Sequence, residues 1–351
     1  MNTSVEQGIL VALAWPETYA YSAGGKWYEY LYRVTGINDN KRYKAGHAGQ
    51  ILIRPSTGHI EYFDFGRYTT PPGHGRARGR IADPEVEIKM KATFDEKGQW
   101  LNYEAVFKHL ESRGPDTHGE GPMLASICYG MDYQKCLDYC IMMVKKGSII
   151  YDPFKKEASN CSRFVSDTLL AGALDKTIRL KLKTMVFGAI TPTSNLYNGS
   201  HDNLIFEVFQ GEMKPVTYNR IVSGWKFIRN MFAKEAKHSE EEYRRIRGTA
   251  WWEPPRPENL PANAQWVNGM GSGHWFSIHE YGGGKAIIAR YAHDGRQDCL
   301  GRYTLEPSGF DLEANYTFIH DSHAYLSTVE QNGRRFQFVF SEMLASLPIS
   351  G

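Results

Sequence analysis

The sequence has no excess of charge of either sign: 41 Lys and Arg stand against 39 Asp and Glu over 351 residues, a formal net charge of +2. The lopsided basic composition of nucleic-acid or membrane-surface proteins is missing, so neither is an expected partner. No apolar run approaches the roughly 18 residues that a membrane-spanning helix needs, so no span is expected. Internal repeats and low-complexity tracts are absent too. Cysteine is scarce: Cys128, Cys136, Cys140, Cys161 and Cys299 form an odd set at irregular spacing, with no CxxC pair. That pattern excludes a disulfide framework and a cysteine zinc site, and no metal or cofactor is expected.

The apolar run Gly8 to Trp15 also lacks what a secretory signal requires. No Lys or Arg precedes it, Glu6 does, and Trp15-Pro16-Glu17 stands where a small-residue cleavage site belongs. The run is expected to be a first buried β-strand. The protein is then expected in the cytoplasm, or outside it if a leader has been trimmed.

What is present suggests two domains, since 351 residues exceed an ordinary single one and 42% of them are apolar. Trp27 to Val34 reads as an aromatic-rich helix or helical turn. Tyr43 to Ile53 and Ile60 to Phe65 read as two strands joined by turn chemistry at Pro55-Ser56-Thr57-Gly58, a β-hairpin. Val86, Ile88, Met90, Ala92 and Phe94 alternate with Glu87, Lys89, Lys91 and Thr93, the clearest strand pattern in the chain. Asn102 to Leu110 predicts a short helix. Leu124 to Lys146 carries apolar residues mostly at three- and four-residue steps and is read as one helix, with Cys136 and Cys140 as small core residues. Beyond Phe206 a short strand and two helical stretches are expected, the second, Ala233 to Arg247, almost wholly charged. From Trp251 onward short strand candidates follow one another, among them Trp275 to His279, Ala286 to Tyr291, Tyr316 to His320 and Phe336 to Phe340.

Cys161 stands where chemistry is expected. Asn160 is a strong N-cap type, which places the cysteine in the first turn of the following helix, with Phe164, Val165, Leu169 and Leu170 on its apolar side. Unpaired backbone N–H groups and the positive dipole end favour a thiolate there and supply donors to an oxyanion. His47, flanked by Gly46, Ala48 and Gly49, is the candidate base, its small neighbours being expected to leave the imidazole accessible and to let another element pack close. A two-residue turn at Pro55-Ser56 places Asp64 opposite His47, and a loop of three or four residues shifts the partner to Phe65 or Gly66 with Asp64 still adjacent. Asp64 is thus the first choice to orient the imidazole and Glu61 the second, while His59 lies at the wrong end of its strand.

Asn160-Cys161-Ser162-Arg163-Phe164-Val165 resembles the nucleophile motif of NlpC-type cysteine hydrolases, usually Asp-Cys-Ser-Gly-Phe-Val, with Arg163 in place of the glycine. The Gly46-His47-Ala48-Gly49 strand comes before the cysteine, an order similar to the circularly permuted papain-like branch that includes YiiX- and YebB-like hydrolases and lecithin-retinol-acyltransferase-like proteins. Thr191-Pro192-Thr193-Ser194 is similar to the permuted members as well. The resemblance spans roughly residues 8 to 210. It implies an α+β fold in which a Cys-bearing helix packs on an antiparallel sheet that carries the histidine. It implies further that Cys161 attacks a carbonyl to form a thioester, with His47 shuttling the proton. Peptides or other amides, cell-wall stem peptides included, are the implied substrates.

The expected organisation is therefore a permuted papain-like cysteine hydrolase domain over 1–235 with an insertion around 66–125, a charged connector at 236–249, and a small β-rich accessory domain over 250–351. Arg67, Arg76 and Arg78 follow the Asp64 strand and are candidate ligands for a substrate carboxylate or phosphate, against the alternative of a solvated basic loop balanced by Asp83, Glu85 and Glu87. His118 and Tyr129 are further cleft candidates that the sequence does not place. His293-Asp294 and His320-Asp321-Ser322-His323 read as ordinary surface polar residues, and Trp251, Trp252, Trp266 and Trp275 as core of the small domain. Two other functions compete with the hydrolase: a lipid or thioester acyltransferase of the lecithin-retinol-acyltransferase type, and a catalytically silent module that binds a glycan or protein.

Overall fold

The protein is described here from a computed structural model, over residues 5–21, 42–153, 155–184, 191–199, 204–217, 253–269 and 272–344. The apolar run at the start is strand β1 (Gln7–Trp15), buried from Gly8 onward. Its residues divide by period two. Ile9, Val11, Leu13 and Trp15 enter one core, and Leu10, Ala12 and Ala14 enter another. A strand that feeds two cores has no polar face to show, which is why its sequence reads as a continuous apolar run.

After β2 (Tyr19–Tyr21) and β3 (Arg42–Lys44), which pair as a small ribbon, come β4 (His47–Arg54), β5 (His59–Gly66) and β6 (His74–Arg78). With β7 (Met123–Asp132), β8 (Ile149–Ile150), β9 (Leu204–Phe209) and β10 (Glu212–Thr217), the larger sheet runs β10-β9-β7-β1-β4-β5-β6-β8. Helix α1 (Tyr103–Ser112) covers one face through Val106, Phe107 and Leu110. Beyond the short α2 (Gly114–Thr117), the helices α3 (Tyr133–Lys146), α4 (Cys161–Gly172), α5 (Lys176–Thr184) and α6 (Pro192–Asn198) supply the other core. The fold is α+β, and the Cys161 helix packs on an antiparallel sheet.

Two expectations change. The alternation at 86–94 is real in burial, with Val86, Ile88 and Ala92 inside and Glu87, Lys89, Lys91 and Thr93 outside, yet the segment joins no sheet. Its side chains lie over the sheet face, in the core with α1, and its backbone makes isolated contacts such as the Ala92 N–H to the Gly58 carbonyl at 2.8 Å. Alternation reports an extended chain with one buried side, and says nothing of a ladder. The single helix expected over 124–146 is a strand and a helix: β7 lies between β1 and β9, and α3 starts only at Tyr133, where the Asp132 side chain accepts the Lys135 N–H at 3.1 Å. Apolar text in a doubly buried strand lacks the period that separates it from a helix. The hairpin, the Asn160-capped helix and the C-terminal strands form as expected, whereas Trp27 to Val34 and Ala233 to Arg247 lie outside the described residues.

The chain divides into two compact units, one of Met1–Gly66, Ala77–Gly79 and Val86–Ala236, the other of Arg67–Arg76, Arg80–Glu85 and Lys237–Gly351. The second holds β11 (Gln265–Val267), β12 (His274–Gly282), β13 (Lys285–Tyr291), β14 (Gln297–Glu306), β15 (Thr317–Phe318), β16 (Leu326–Gln331) and β17 (Arg334–Met343). These form one antiparallel sheet ordered β11-β12-β13-β14-β17-β16-β15. Its two ends are tied by a side chain that stands in for backbone pairing: the Gln265 amide donates to the Tyr316 carbonyl at 3.0 Å and accepts from the Phe318 N–H at 2.9 Å. The segments 67–76 and 80–85, expected within the hydrolase domain, fold with this unit through buried charge. Asp83 takes both terminal nitrogens of Arg76, at 2.6 and 2.7 Å, and also pairs with Arg290, which in turn holds Glu85 and Asp298. Trp275 is core, as the sequence suggested.

Helices α3 and α4 pack closely at Gly172, where a Cβ would stand 2.1 Å from Cys136 Sγ and 3.1 Å from the Asp132 carbonyl. Gly172→Ala is expected to cost about 1–3 kcal/mol of stability. In urea unfolding, Cys136→Ala in the same background should recover part of that loss, and an unchanged midpoint for Gly172→Ala alone would contradict the packing.

Candidate active site

The chemistry starts from a turn. The β4–β5 loop is four residues long, Arg54 faces His59, and Asp64 therefore faces Gly49. His47 and Asp64 sit two residues apart across the ladder on one face, a diagonal that long side chains bridge. His47 Nε2 donates to Asp64 Oδ2 at 3.2 Å. Gly46 leads the chain into β4 with φ of +72°, a backbone that a Cβ would strain, and a Cβ there would also meet Pro192 and the Trp15 carbonyl. Gly49 has a different purpose from the accessibility expected of His47's small neighbours. A Cβ there would stand 2.8 Å from the Tyr62 hydroxyl. The glycine thus makes room for Tyr62 to donate to Asp64 Oδ2 at 3.0 Å. His47 itself is only 7% exposed, and the Trp15 ring stacks on it with centroids 5.8 Å apart.

Asn160 caps α4 as its sequence predicts, its side chain accepting the Arg163 N–H at 2.8 Å while its carbonyl accepts the Phe164 N–H at 2.9 Å. Cys161 is the first helical residue, and its thiol hydrogen-bonds the His47 imidazole. The Tyr151 hydroxyl donates to Cys161 Sγ at 3.8 Å, and the Ser162 hydroxyl lies at the same distance.

Electrostatics separate this thiol from Cys136, Cys140 and Cys299. Burial pushes Cys136 up to about 12, aided by Asp132, and burial likewise raises Cys140 and Cys299. Burial works against the Cys161 thiolate as well. There, however, hydrogen bonding and charge from His47, with the hydroxyls of Tyr151 and Ser162, outweigh it and hold the thiol below its ordinary value. For His47, burial disfavours the cation, but Asp64 and Cys161 together raise it to about 9. Asp64 is pushed down in spite of complete burial, through Arg78 first and His47 second. The groups in series are a thiol able to ionise, a base beside it, and a carboxylate that fixes the base.

The other candidates fall elsewhere. Glu61 accepts from the Tyr133 hydroxyl at 3.3 Å and lies near His59, away from His47. Arg78 does not reach out to a substrate: it is 1% exposed and donates to Asp64 through Nε at 3.0 Å and a terminal nitrogen at 2.6 Å. Arg76 is equally buried and committed to Asp83, and both Arg76 and Arg67 belong to the second unit. The expected carboxylate-binding trio is thus dispersed, because two of its members neutralise buried aspartates. Tyr62, Tyr151, Trp15 and Arg78 are the site residues that sequence reasoning missed in these roles. Tyr62 alone carried a signal, lying two residues before Asp64 on the same strand face. Among the described residues no group of three or more His, Cys, Asp and Glu side chains gathers as metal ligands, and His323 is buried with its pKa lowered to about 3 by burial and Arg76.

A buried thiol, imidazole and carboxylate thus stand in series. Residues 10–178, which carry all three, match the family model described as Type VI secretion system effector TseH-like. Residues 264–341 match a second model, the DUF6695 C-terminal domain. No curated protein matches the chain significantly. A solved structure, the crystal structure of the Type VI secretion system effector TseH, aligns at 18% identity with a TM-score of 0.40, covering 60% of this chain and 99% of its own. No helix among the described residues is long and apolar enough to cross a membrane.

Iodoacetamide at pH 6 should label Cys161 ahead of the other four thiols, because reaction follows the thiolate fraction. His47→Ala should slow that labelling by at least about tenfold, since a one-unit rise in thiol pKa already removes that much thiolate. Equal, slow labelling of all five cysteines would refute the ion pair.

Proposed function

We propose that the chain is a cysteine hydrolase that cleaves an amide or peptide bond through Cys161, His47 and Asp64. The observation that carries this reading is the hydrogen-bonded series from the Cys161 thiol through the His47 ring to the fully buried Asp64 carboxylate. The Asn160-Cys161 start of α4, preceded in sequence by the His47 hairpin, supports a permuted papain-like arrangement.

The steps follow from the groups. The Cys161 thiolate attacks the carbonyl carbon, forming a C–S bond as the carbonyl electron pair moves onto oxygen. Asn160 occupies the amides of Arg163 and Phe164, which leaves those of Cys161 and Ser162 as the helix-end donors for that oxyanion. The His47 imidazolium then gives its proton to the departing nitrogen, the C–N bond breaks, and a thioester remains. Water, giving a proton to His47, attacks the thioester, and the C–S bond breaks to release the acid and restore the ion pair. Asp64 keeps its charge throughout and holds the ring and its charge in place.

The match of the first half to a family described as secretion system effectors supports action as such an effector. Peptides, cell-wall stem peptides included, are the substrate class we propose. Purified stem peptides incubated with the protein should release new amines. Cys161→Ala and His47→Ala should each lower that rate by about 10³-fold or more, the usual consequence of losing a nucleophile or its base. The kcat/KM profile should fall on its alkaline side near pH 9, where His47 loses its proton. Intact peptides together with an acyl chain captured on Cys161 from a lipid ester would overturn the peptidase reading in favour of an acyltransferase.

A further inference from the structure

Asp64 has no exposed surface and sits beside a histidine drawn into its charged form, yet its carboxylate is shared. Arg78, the last residue of β6, donates to both oxygens, at 3.0 Å to Oδ1 and 2.6 Å to Oδ2, and Oδ2 also receives His47 and Tyr62. The two guanidinium bonds form a fork that fixes the plane of the carboxylate, which a single point contact does not do. Charge completes the case. A thiolate, an imidazolium and a carboxylate carry a net charge of −1 into a largely buried site, and the buried guanidinium brings the sum to zero.

We infer that Arg78 is a positioning residue of the catalytic site, which clamps the Asp64 carboxylate toward His47 and supplies the counter-charge that lets the thiolate–imidazolium pair exist in a buried site. The inference rests on the hydrolase reading and extends it to a fourth residue. The groups described around the pair include Asp64 and Tyr62 from β5, Arg78 from β6, the Trp15 ring from β1, Tyr151 from the segment after β8, and Ser162 from α4. Arg78 acts on the imidazole and the thiol by way of the Asp64 carboxylate, both of whose oxygens it holds, and by its charge.

Loss of a positive charge raises the pKa of every neighbouring acid. In Arg78→Met, both limbs of the pH profile for Cys161 labelling should therefore move to higher pH, by on the order of one unit for charges several ångströms apart at an effective dielectric of about 20. Asp64→Asn should move the alkaline limb the opposite way, since it removes the anion that sustains the imidazolium. Adding Arg78→Met to Asp64→Asn should shift the profile by less than half of what it does in the wild type, because the clamp has lost its partner. A purely structural role for Arg78 would lower the melting temperature and leave both limbs in place, and that result overturns the inference. Should Arg78→Met fail to fold, Arg78→Lys decides. It keeps the charge but loses the fork, so the limbs should stay while the plateau labelling rate falls several-fold, and a wild-type plateau would overturn the clamp. The control is the wild-type protein itself. If Cys161 labels no faster than the other thiols, the hydrolase reading fails; fast labelling with unmoved limbs in Arg78→Met defeats only the role given to Arg78.

Discussion

The site depends on a carboxylate that water cannot reach. Asp64 remains charged in the interior because Arg78 forks onto it, Tyr62 donates to it and His47 faces it. An unpaired carboxylate in such a place would take up a proton, since leaving it charged costs several kcal/mol. Protonated, it could neither hold the His47 ring nor favour its cation, and the Cys161 thiol would rise with burial as Cys136 does. In the proposed mechanism, the reactivity of the sulfur traces back through His47 and Asp64 to the Arg78 guanidinium.

A similar burial of paired charge appears in the second unit. Arg76 and Arg290 share Asp83, and Arg290 also holds Glu85 and Asp298, all within the interior. Four arginines between residues 67 and 80 look in sequence like a basic surface loop. Two of them are buried instead, each beside an aspartate that needs neutralising. What sets the proposed catalytic pairing apart is the third partner: a histidine next to a thiol for Asp64, another arginine for Asp83.

Much of the site was legible because it is local. An Asn-Cys pair before an apolar helix declares its cap from backbone chemistry alone, and small residues with turn types at 55–58 declare a hairpin. The register was legible only as a short set of alternatives, and the four-residue loop chose the diagonal one, keeping Asp64 within reach of His47. Where the reading went astray, a pattern fitted more than one packing. The alternation from Val86 to Phe94 is the mark of one buried side, which a ladder and a lone extended segment share. The apolar residues from Leu124 onward satisfy a helix nearly as well as a strand, and the cap at Asp132 marks the true change of structure.

The sequence by itself determined that Cys161 opens a helix, that His47 and Asp64 share a hairpin, and that the chain ends in a β-rich unit. Each of these follows from neighbours along the chain, where capping, turn type and period act over a few residues. The tertiary structure decided that the Cys161 thiol is drawn down while Cys136, Cys140 and Cys299 are pushed up, which arginines are spent in the interior, and that the imidazole meets a thiol 114 positions away. Those outcomes are set by burial and by charges brought together across the sheet, and neither quantity exists until the layers have closed over them.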